Sequence, residues 1–411
     1  MANILGINLS ELRPSESLAQ IDLFLKQARQ KFLVTPNPEI ILKAHQDEEF
    51  FYILNKADLI LADGFGLKIA AKLFGYKIYR MTGADLTLHL LKKAEIENRK
   101  IIILNLENGL SKKPEIENSL KIKYHALEFK IINISRDKFL KPEIIKEINS
   151  FAPQILFCNL GFPYQEKVIY HNLNKLNSVK LALGIGGSFD FITEKIKRAP
   201  KFLRTCGLEW LWRLFKQPKR IGRIFNATVI FFLKVLKAGY INPFSWRPNV
   251  ACLLYKKEEK NIKILIVARE DNPEHWQIPQ GGTDGEKIEI AGARELREEI
   301  GTDNFIKKAI YKNIYRYLFS ENLGKKAYQK QTGEYGQIIT GPRTFIRNYK
   351  GQKQSLYIAE FLGDDKDIKI NFWDHVAYKW VLKEDFVKSV HPSRKPSAEI
   401  FLNKLNELKI N

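Results

Sequence analysis

Between residues 30 and 190, short apolar runs alternate with stretches whose apolar residues recur every three or four positions, and few architectures accommodate that rhythm. Phe32 to Val34, Leu59 to Ala62, Ile101 to Leu104, Phe129 to Ile134, Ile155 to Asn159 and Leu181 to Ile185 read as strands. The stretches 38–55, 84–98, 142–151 and 163–176 read as amphipathic helices between them. Such alternation specifies an α/β domain with a largely parallel sheet, in which ligands gather at the carboxyl ends of the strands. Functional side chains are therefore expected just after the strands.

Thr35-Pro36-Asn37-Pro38 follows the first run and Asp63-Gly64-Phe65-Gly66 the second, while Gly161-Phe162-Pro163-Tyr164-Gln165-Glu166 follows the fifth. Taken singly these are ordinary loops. Asp63 reads equally as a helix N-cap, and Gly184-Ile185-Gly186-Gly187 as glycines that permit a tight turn. Together with Arg80-Met81-Thr82-Gly83-Ala84-Asp85, Gly187-Ser188-Phe189-Asp190-Phe191, Arg198-Ala199-Pro200 and Gly207-Leu208-Glu209-Trp210, the ordered series resembles the WecG/TagA/CpsF glycosyltransferase family over roughly residues 3–237. The resemblance implies a Rossmann-like parallel-sheet domain. It also implies transfer of an N-acetylmannosamine-type sugar from a UDP-sugar donor to a polyprenyl-diphosphate-linked acceptor, with no cofactor. On the matching positions Asp63 would be the general base, with Thr35, Asn37, Arg80 and Gln165 lining the site. Two positions depart from the pattern: Asn105-Leu106 stands where the family often shows a glycine pair, and Glu194 where a glycine is common. Both bear on sugar choice more than on reaction class.

From 198 to 223 the chain carries Arg198, Lys201, Arg204, Arg213, Lys216, Lys219, Arg220 and Arg223 against Glu209, interleaved with Phe202, Trp210, Trp212 and Phe215. A solvated charged helix explains the bases but not the aromatics. Basic and aromatic residues at helical spacing suit an anionic membrane surface, each base contributing about 1 kcal/mol. Base stacking on single-stranded nucleic acid is the competing use. By the resemblance this is the family's C-terminal appendage (198–237), whose arginines matching Arg213, Arg220 and Arg223 would hold the lipid diphosphate. Residues 238–245 read as a linker.

The second domain, 246–411, is organised around Arg294-Glu295-Leu296-Arg297-Glu298-Glu299-Ile300-Gly301. Glu295, Glu298 and Glu299 fall at i, i+3 and i+4 on one helical face. Like charges so placed destabilise a helix unless something offsets them. A hard divalent cation would offset them, whereas three glutamates alone also describe a solvated acidic face. With Glu286, Trp276 to Gly282, Arg247-Pro248-Asn249-Val250 and Gly351-Gln352-Lys353-Gln354, the stretch resembles the Nudix hydrolase family over about 245–405, in its dinucleoside polyphosphate and RNA 5′-pyrophosphate branch. The box departs at a loop one residue short between Gly281 and Glu286, and at Thr302, which replaces an apolar residue. The resemblance implies an α/β/α domain with a mixed sheet, to which Val250 to Tyr255, Ile262 to Ala268 and Ser355 to Phe361 contribute strands. Further implications are Mg²⁺ or Mn²⁺ on Glu295, Glu298 and Glu299, with Asp374 as a looser fourth ligand, and a nucleotide or RNA 5′-end substrate. Water would be activated by Glu298 or Glu299. Arg247, Arg269 and Lys353 are candidates for substrate phosphates and equally ordinary surface charges.

The balance of 67 Lys and Arg against 46 Asp and Glu, a net +21, favours anionic partners without choosing among them. Cys158, Cys206 and Cys252 are odd in number and widely spaced, which fits neither a disulfide framework nor a zinc site. The most apolar segment, Ala227 to Leu233, is interrupted by Lys234 and is shorter than the roughly 20 residues a spanning helix needs. The expectation is a bifunctional cytoplasmic enzyme held peripherally at the inner face of the cell membrane, with homo-oligomerisation left open. Its rivals are a second domain that senses nucleotide or RNA without turnover, and a membrane-associated scaffold.

Overall fold

Residues 2–9 close on Leu5 and Gly6, whose φ angles of 52° and 85° suit a tight hairpin, and so form the antiparallel pair β1 (Ala2–Ile4) and β2 (Ile7–Leu9). The computed structural model describes residues 1–200, 202–203, 211–212, 221–258, 261–319, 336–339, 349–371 and 375–408. The chain divides into two units, Met1–Leu236 and Lys237–Asn411.

In the first unit β3 (Lys31–Val34), β4 (Leu59–Ile60), β5 (Ile101–Leu106), β6 (Phe129–Ile134), β7 (Ile155–Asn159) and β8 (Leu181–Gly184) form one parallel sheet, ordered β4-β3-β8-β7-β5-β6. Each expected run falls on one of these strands. Ile101 to Leu104 and Ile155 to Cys158 are fully buried, as strands covered on both faces must be. The expected helix at 38–55 is two helices, Pro38–Ala44 and Glu48–Lys56; Asp47 starts the second by accepting the Phe50 N–H at 3.0 Å. Helices Gly83–Ile96, Pro142–Phe151 and Tyr164–Asn172 match expectation, whereas Pro14–Lys26, Phe65–Leu73 and Lys113–Lys123 were not anticipated. Ile21, Leu33, Leu90, Ile103, Phe157, Leu183 and Phe189 meet in the core.

Past residue 220 the chain runs through α-helix Ile221–Phe225, a π turn at Asn226–Ile230, α-helix Phe231–Leu236 and a second π turn at Lys237–Ile241. The apolar run Ala227 to Leu233, expected to be short, is thus part of a longer helix, and the segment 238–245 expected as a linker is helical as far as Phe244. Asn226–Phe244 is, among the described residues, one helix long and apolar enough to cross a membrane by length and composition, and only 22% of it is buried. Lys234 and Lys237 lower its hydropathy without breaking it, and the wider π turns carry Gly239 within the helix.

The second unit is built on β9 (Trp246–Glu258), β10 (Asn261–Arg269), β11 (Asn272–Gln277), β12 (Gln280–Gly282), β13 (Phe305–Phe319), β14 (Gly336–Ile339), β15 (Gly351–Phe361) and β16 (His375–Leu382). Their order is β11-β10-β9-β15-β13-β14, with β12 on β9 and β16 on β10. β9 pairs parallel with β15, and β10 antiparallel with its neighbours, so the sheet is mixed. Alternation along β9 splits its side chains between two cores. Val250, Cys252 and Leu254 pack with Leu296 and Ile300 of helix Ile288–Ile300, and Ala251, Leu253 and Tyr255 with Phe401 and Leu405 of helix Lys395–Glu407. That is the α/β/α arrangement. Cys158 and Cys252 are buried free thiols, and Cys206 lies outside the described residues.

Candidate active sites

In the first unit the carboxyl ends of β3 and β4 bring four of the expected residues together. Asp63 follows β4 and is fixed by its backbone N–H, which donates to the Pro36 carbonyl at 2.8 Å. Its carboxylate Oδ2 accepts the Gly83 N–H at 3.2 Å. The helix that follows Asp63, Phe65–Leu73, begins at Gly64 with no side-chain cap. Asp63 therefore faces the start of a different helix, Gly83–Ile96, whose cap is Thr82. A helix N-terminus suits a carboxylate there. A Cβ on Gly83 would lie 2.9 Å from Thr35 Oγ1 and 4.0 Å from Asp63 Oδ2, so Thr35, Asp63 and this helix start lie side by side. Asn37 caps helix Pro38–Ala44 through the Ile40 N–H at 3.0 Å. The segment holding Arg80 is stitched to Ala62 by a parallel bridge and by the Met81 N–H at 3.0 Å.

Gln165 arrives from the helix after β7 and lies beneath β8, the neighbour of β3. It is 4% exposed, and its Oε1 accepts the Gly186 N–H at 3.0 Å. Its carboxamide covers Gly184 so closely that a Cβ there would fall 2.4 Å from Nε2.

The two departures acquire physical reasons. Asn105 is fully buried: its amide donates to Ser111 O at 3.3 Å and Asn133 Oδ1 at 3.1 Å, and it accepts from Asn159 at 2.8 Å, so it ties β5, β6 and β7 together. Glu194 sits at φ 62°, the left-handed region a glycine occupies without the roughly 1–2 kcal/mol that a side chain costs.

At the start of the basic seam, Arg198 pairs with Asp85 at 2.8 Å and donates to Thr82 Oγ1 at 3.2 Å, at the same helix start. Arg213 and Arg220 lie outside the described residues, as does the side chain of Arg223. Ile221, Phe225, Val229 and Leu233, one turn apart, are exposed by 65%, 52%, 43% and 58%. The apolar stripe thus faces outward.

In the second unit helix Ile288–Ile300 ends at Gly301 and presents the three glutamates with different surroundings. Glu295 is 1% exposed and Glu299 6%, whereas Glu298 is largely exposed. Arg294 ties the group together: Nη1 meets Glu295 at 2.8 Å and Glu298 at 2.9 Å, Nε meets Glu286 at 2.9 Å, and Nη2 donates to the Gly282 carbonyl at 2.8 Å. Burial alone would lower the Arg294 pKa, but these carboxylates raise it. The Gln280 N–H donates to both oxygens of Glu299 at 3.2 Å. Carboxylate oxygens of Glu295 and Glu298 lie within 4.8 Å of each other. Gly281 passes directly over Glu295, since a Cβ there would fall 1.8 Å from its Oε2. The short loop still closes: Asp284 and Gly285 take φ of 46° and 89°, and Glu286 reaches Arg294. Arg294 thus meets three carboxylates, Glu299 lies beside them, and two of these four are buried, a donor set that fits a hard divalent cation with oxygen ligands.

The three proposed phosphate contacts diverge. The Arg247 guanidinium reaches the box, where Nη2 would be 3.0 Å from a Cβ on Gly282. Arg269 is paired to Asp271 at 2.8 and 2.9 Å. Lys353 alternates with Gln352 and Gln354 on β15 and so shares the face of Tyr357, which packs towards helix Ile288–Ile300. Asp374 lies outside the described residues. Its neighbour His375, which sequence reasoning passed over, is buried with Nε2 3.8 Å from Glu299 Oε2. The only signal for it was adjacency to Asp374.

Residues 2–243 match the Glycosyl transferase WecG/TagA/CpsF family, and residues 245–402 match the NUDIX domain. An N-acetylglucosaminyldiphosphoundecaprenol N-acetyl-beta-D-mannosaminyltransferase of Bacillus spizizenii is 34% identical over 206 residues, covering 49% of this chain and 78% of that protein. The enzyme of the same name from Staphylococcus aureus is 30% identical over 240 residues, covering 57% of this chain and 92% of its own. Among solved structures, an Ap4A hydrolase of C. elegans aligns at 18% identity over 39% of this chain and 98% of its own, with a TM-score of 0.28. With the parallel sheet, the strand-end loops and this match in hand, the chain belongs to the WecG/TagA/CpsF glycosyltransferase family and carries a NUDIX domain after its transferase unit.

Proposed function

We propose that the first unit transfers an N-acetylmannosamine-type sugar from a UDP donor to a polyprenyl-diphosphate-linked acceptor at the cytoplasmic face of a membrane. The observation that carries this reading is the Asp63 carboxylate, held against the Gly83 N–H beside Thr35 at the carboxyl edge of a parallel sheet. In the reaction the acceptor hydroxyl attacks the anomeric carbon as the bond to UDP breaks, with inversion. Asp63 takes the hydroxyl proton, a contribution typically worth about 10² to 10⁴ in rate. Arg80 offsets charge on the departing diphosphate. The names of the relatives support the sugar and the acceptor. The outward apolar stripe on the helix from Ile221 supports membrane contact, with the seam arginines adding attraction to anionic lipid.

The same reading makes residues 245–402 a pyrophosphohydrolase acting on a nucleoside diphosphate-linked substrate with Mg²⁺ or Mn²⁺. Glu295, Glu298 and Glu299 would hold the cation, which neutralises charge developing on phosphate oxygens. Arg294 and the Gln280 N–H orient those carboxylates; Glu298 would accept a proton from water, and Arg247 would meet a substrate phosphate. The test is a hydrolysis screen of the full chain with diadenosine polyphosphates, 5′-triphosphate RNA, nucleoside triphosphates and nucleotide sugars, with and without EDTA. Metal-dependent turnover lost in Glu298→Gln is expected. Nucleotide binding without turnover in the wild type would replace this reading with that of a sensor.

A further inference from the structure

Next to Gln165 lies a carboxyl group that nothing above uses. Glu166 is 2% exposed, its Oε1 accepts the Gln165 Nε2–H at 2.7 Å, and its Oε2 has no hydrogen-bond partner among the described residues. Gln165 has little choice of conformation. Its carboxamide is pressed on Gly184 and its Oε1 is taken by the Gly186 N–H. A carboxamide can be turned over by 180° at small steric cost, and the Glu166 acceptor on one side and the Gly186 N–H on the other together select one of the two orientations. Turned the other way, Gln165 would set its oxygen against the Glu166 carboxyl and its NH₂ against the Gly186 N–H. Gly186 belongs to the loop that leaves β8, beside β3 and the Thr35 loop. The chain Glu166, Gln165, Gly186 thus runs from beneath the sheet edge to the glycine loop at its mouth.

We propose that Glu166 is a positioning residue of the transferase unit, fixing the Gln165 carboxamide and through it the Gly186 loop. The inference rests on the reading of this unit as a sugar transferase. No cation offsets the Glu166 charge among the described residues, and burial pushes its carboxyl up to about 7, against an ordinary value of 4.5. The titratable group facing it from β7 is the Cys158 thiol, which burial raises and keeps neutral. On helix Glu48–Lys56, Glu49 is occupied by Lys167 and His171 of the helix that carries Glu166. The Gln165 amide should therefore sense a titration near neutral pH.

Two measurements test this on the full chain. The first is the side-chain amide resonance of Gln165, assigned by its loss in Gln165→Ala and followed from pH 5.5 to 8.5. It should titrate in the wild type and not in Glu166→Gln, a variant that keeps volume and can still offer an oxygen. The second is UDP release from UDP-N-acetylmannosamine with a short-chain lipid-diphosphate acceptor, for Glu166→Ala, Gln165→Ala and the double variant. If Glu166 works through Gln165, each single change lowers kcat/KM by about tenfold or more, and the double variant is no worse than Gln165→Ala. Multiplying losses, or a Gln165→Ala enzyme with wild-type rates, would overturn the proposal. So would a Gln165 amide that titrates identically in wild type and Glu166→Gln, which remains readable if Glu166→Ala unfolds. A wild-type chain whose amide titrates as expected but which releases no UDP would overturn the transferase reading and leave the positioning chain standing.

Discussion

Replacing Gly281 with alanine perturbs the hydrolase site at one defined point. The added Cβ would lie 1.8 Å from Glu295 Oε2, 2.1 Å from its Cδ and 2.2 Å from Oε1. Heavy atoms settle at about 3.5 Å, so the carboxylate has to retreat by roughly 1.5 Å. It has no open direction to take, because Glu295 is 1% exposed and bonded to Arg294 at 2.8 Å. The alternative is for β12 to lift from β9, which breaks the pairing of Gly281 with Val250. Misplacement of a reacting or ligating group by about 1 Å can cost about 10²-fold in rate. Overpacking of this kind costs about 1–3 kcal/mol. The expected result is a fall of about 10²-fold in metal-dependent hydrolysis, weakened Mn²⁺ binding by electron paramagnetic resonance, and a melting transition of the second unit lowered by about 2–12 °C. UDP release from a sugar donor should be unaffected, since Gly281 lies in the other unit. A variant with wild-type hydrolysis, Mn²⁺ affinity and melting would refute the placement of Glu295 beneath Gly281.

Burial alone would raise the Glu49 carboxyl, but hydrogen bonds from His171 and Lys167 outweigh it and hold the group at about 2, below its ordinary 4.5. A depressed folded value means that the stabilisation, on the order of 3 kcal/mol, is present above about pH 4.5 and lost as pH falls towards 2. Glu49→Gln should therefore destabilise the first unit at pH 7 and flatten its melting temperature between pH 4.5 and 2; an unchanged acid slope would contradict this. Phe225→Asp with Leu233→Asp, on the exposed stripe, should reduce co-sedimentation of the full chain with anionic vesicles at least severalfold. Pelleting equal to wild type would remove the stripe from the membrane contact.

The parallel sheet was legible because strands buried on both faces leave continuous apolar runs, as at Ile101 to Leu104. β13 was not, because one face is open to solvent and Lys307, Lys308, Lys312 and Asn313 interrupt the pattern. The apolar helix Asn226–Phe244 was hidden by two lysines and by a glycine and proline that read as breakers. At the sites, the family resemblances named Asp63 and, with helical spacing, the three glutamates, but partners set by tertiary approach were invisible. Asp63 bonds a residue 20 positions on, not the helix beside it. Helical spacing put Glu295, Glu298 and Glu299 on one face, yet only the packing on β9 and β12 buries Glu295 and Glu299 and leaves Glu298 exposed. His375 reaches Glu299 because β16 pairs with β10, which local sequence does not reveal.

The most direct test of the account is the turnover of Asp63→Asn in the full chain, with a UDP-N-acetylmannosamine donor and a lipid-diphosphate acceptor. Asparagine keeps an oxygen for the Gly83 N–H, so the fold and donor affinity should persist. Loss of the base should lower kcat by at least about 10²-fold. UDP release near the wild-type rate would contradict the assignment of Asp63 as the group that takes the acceptor proton.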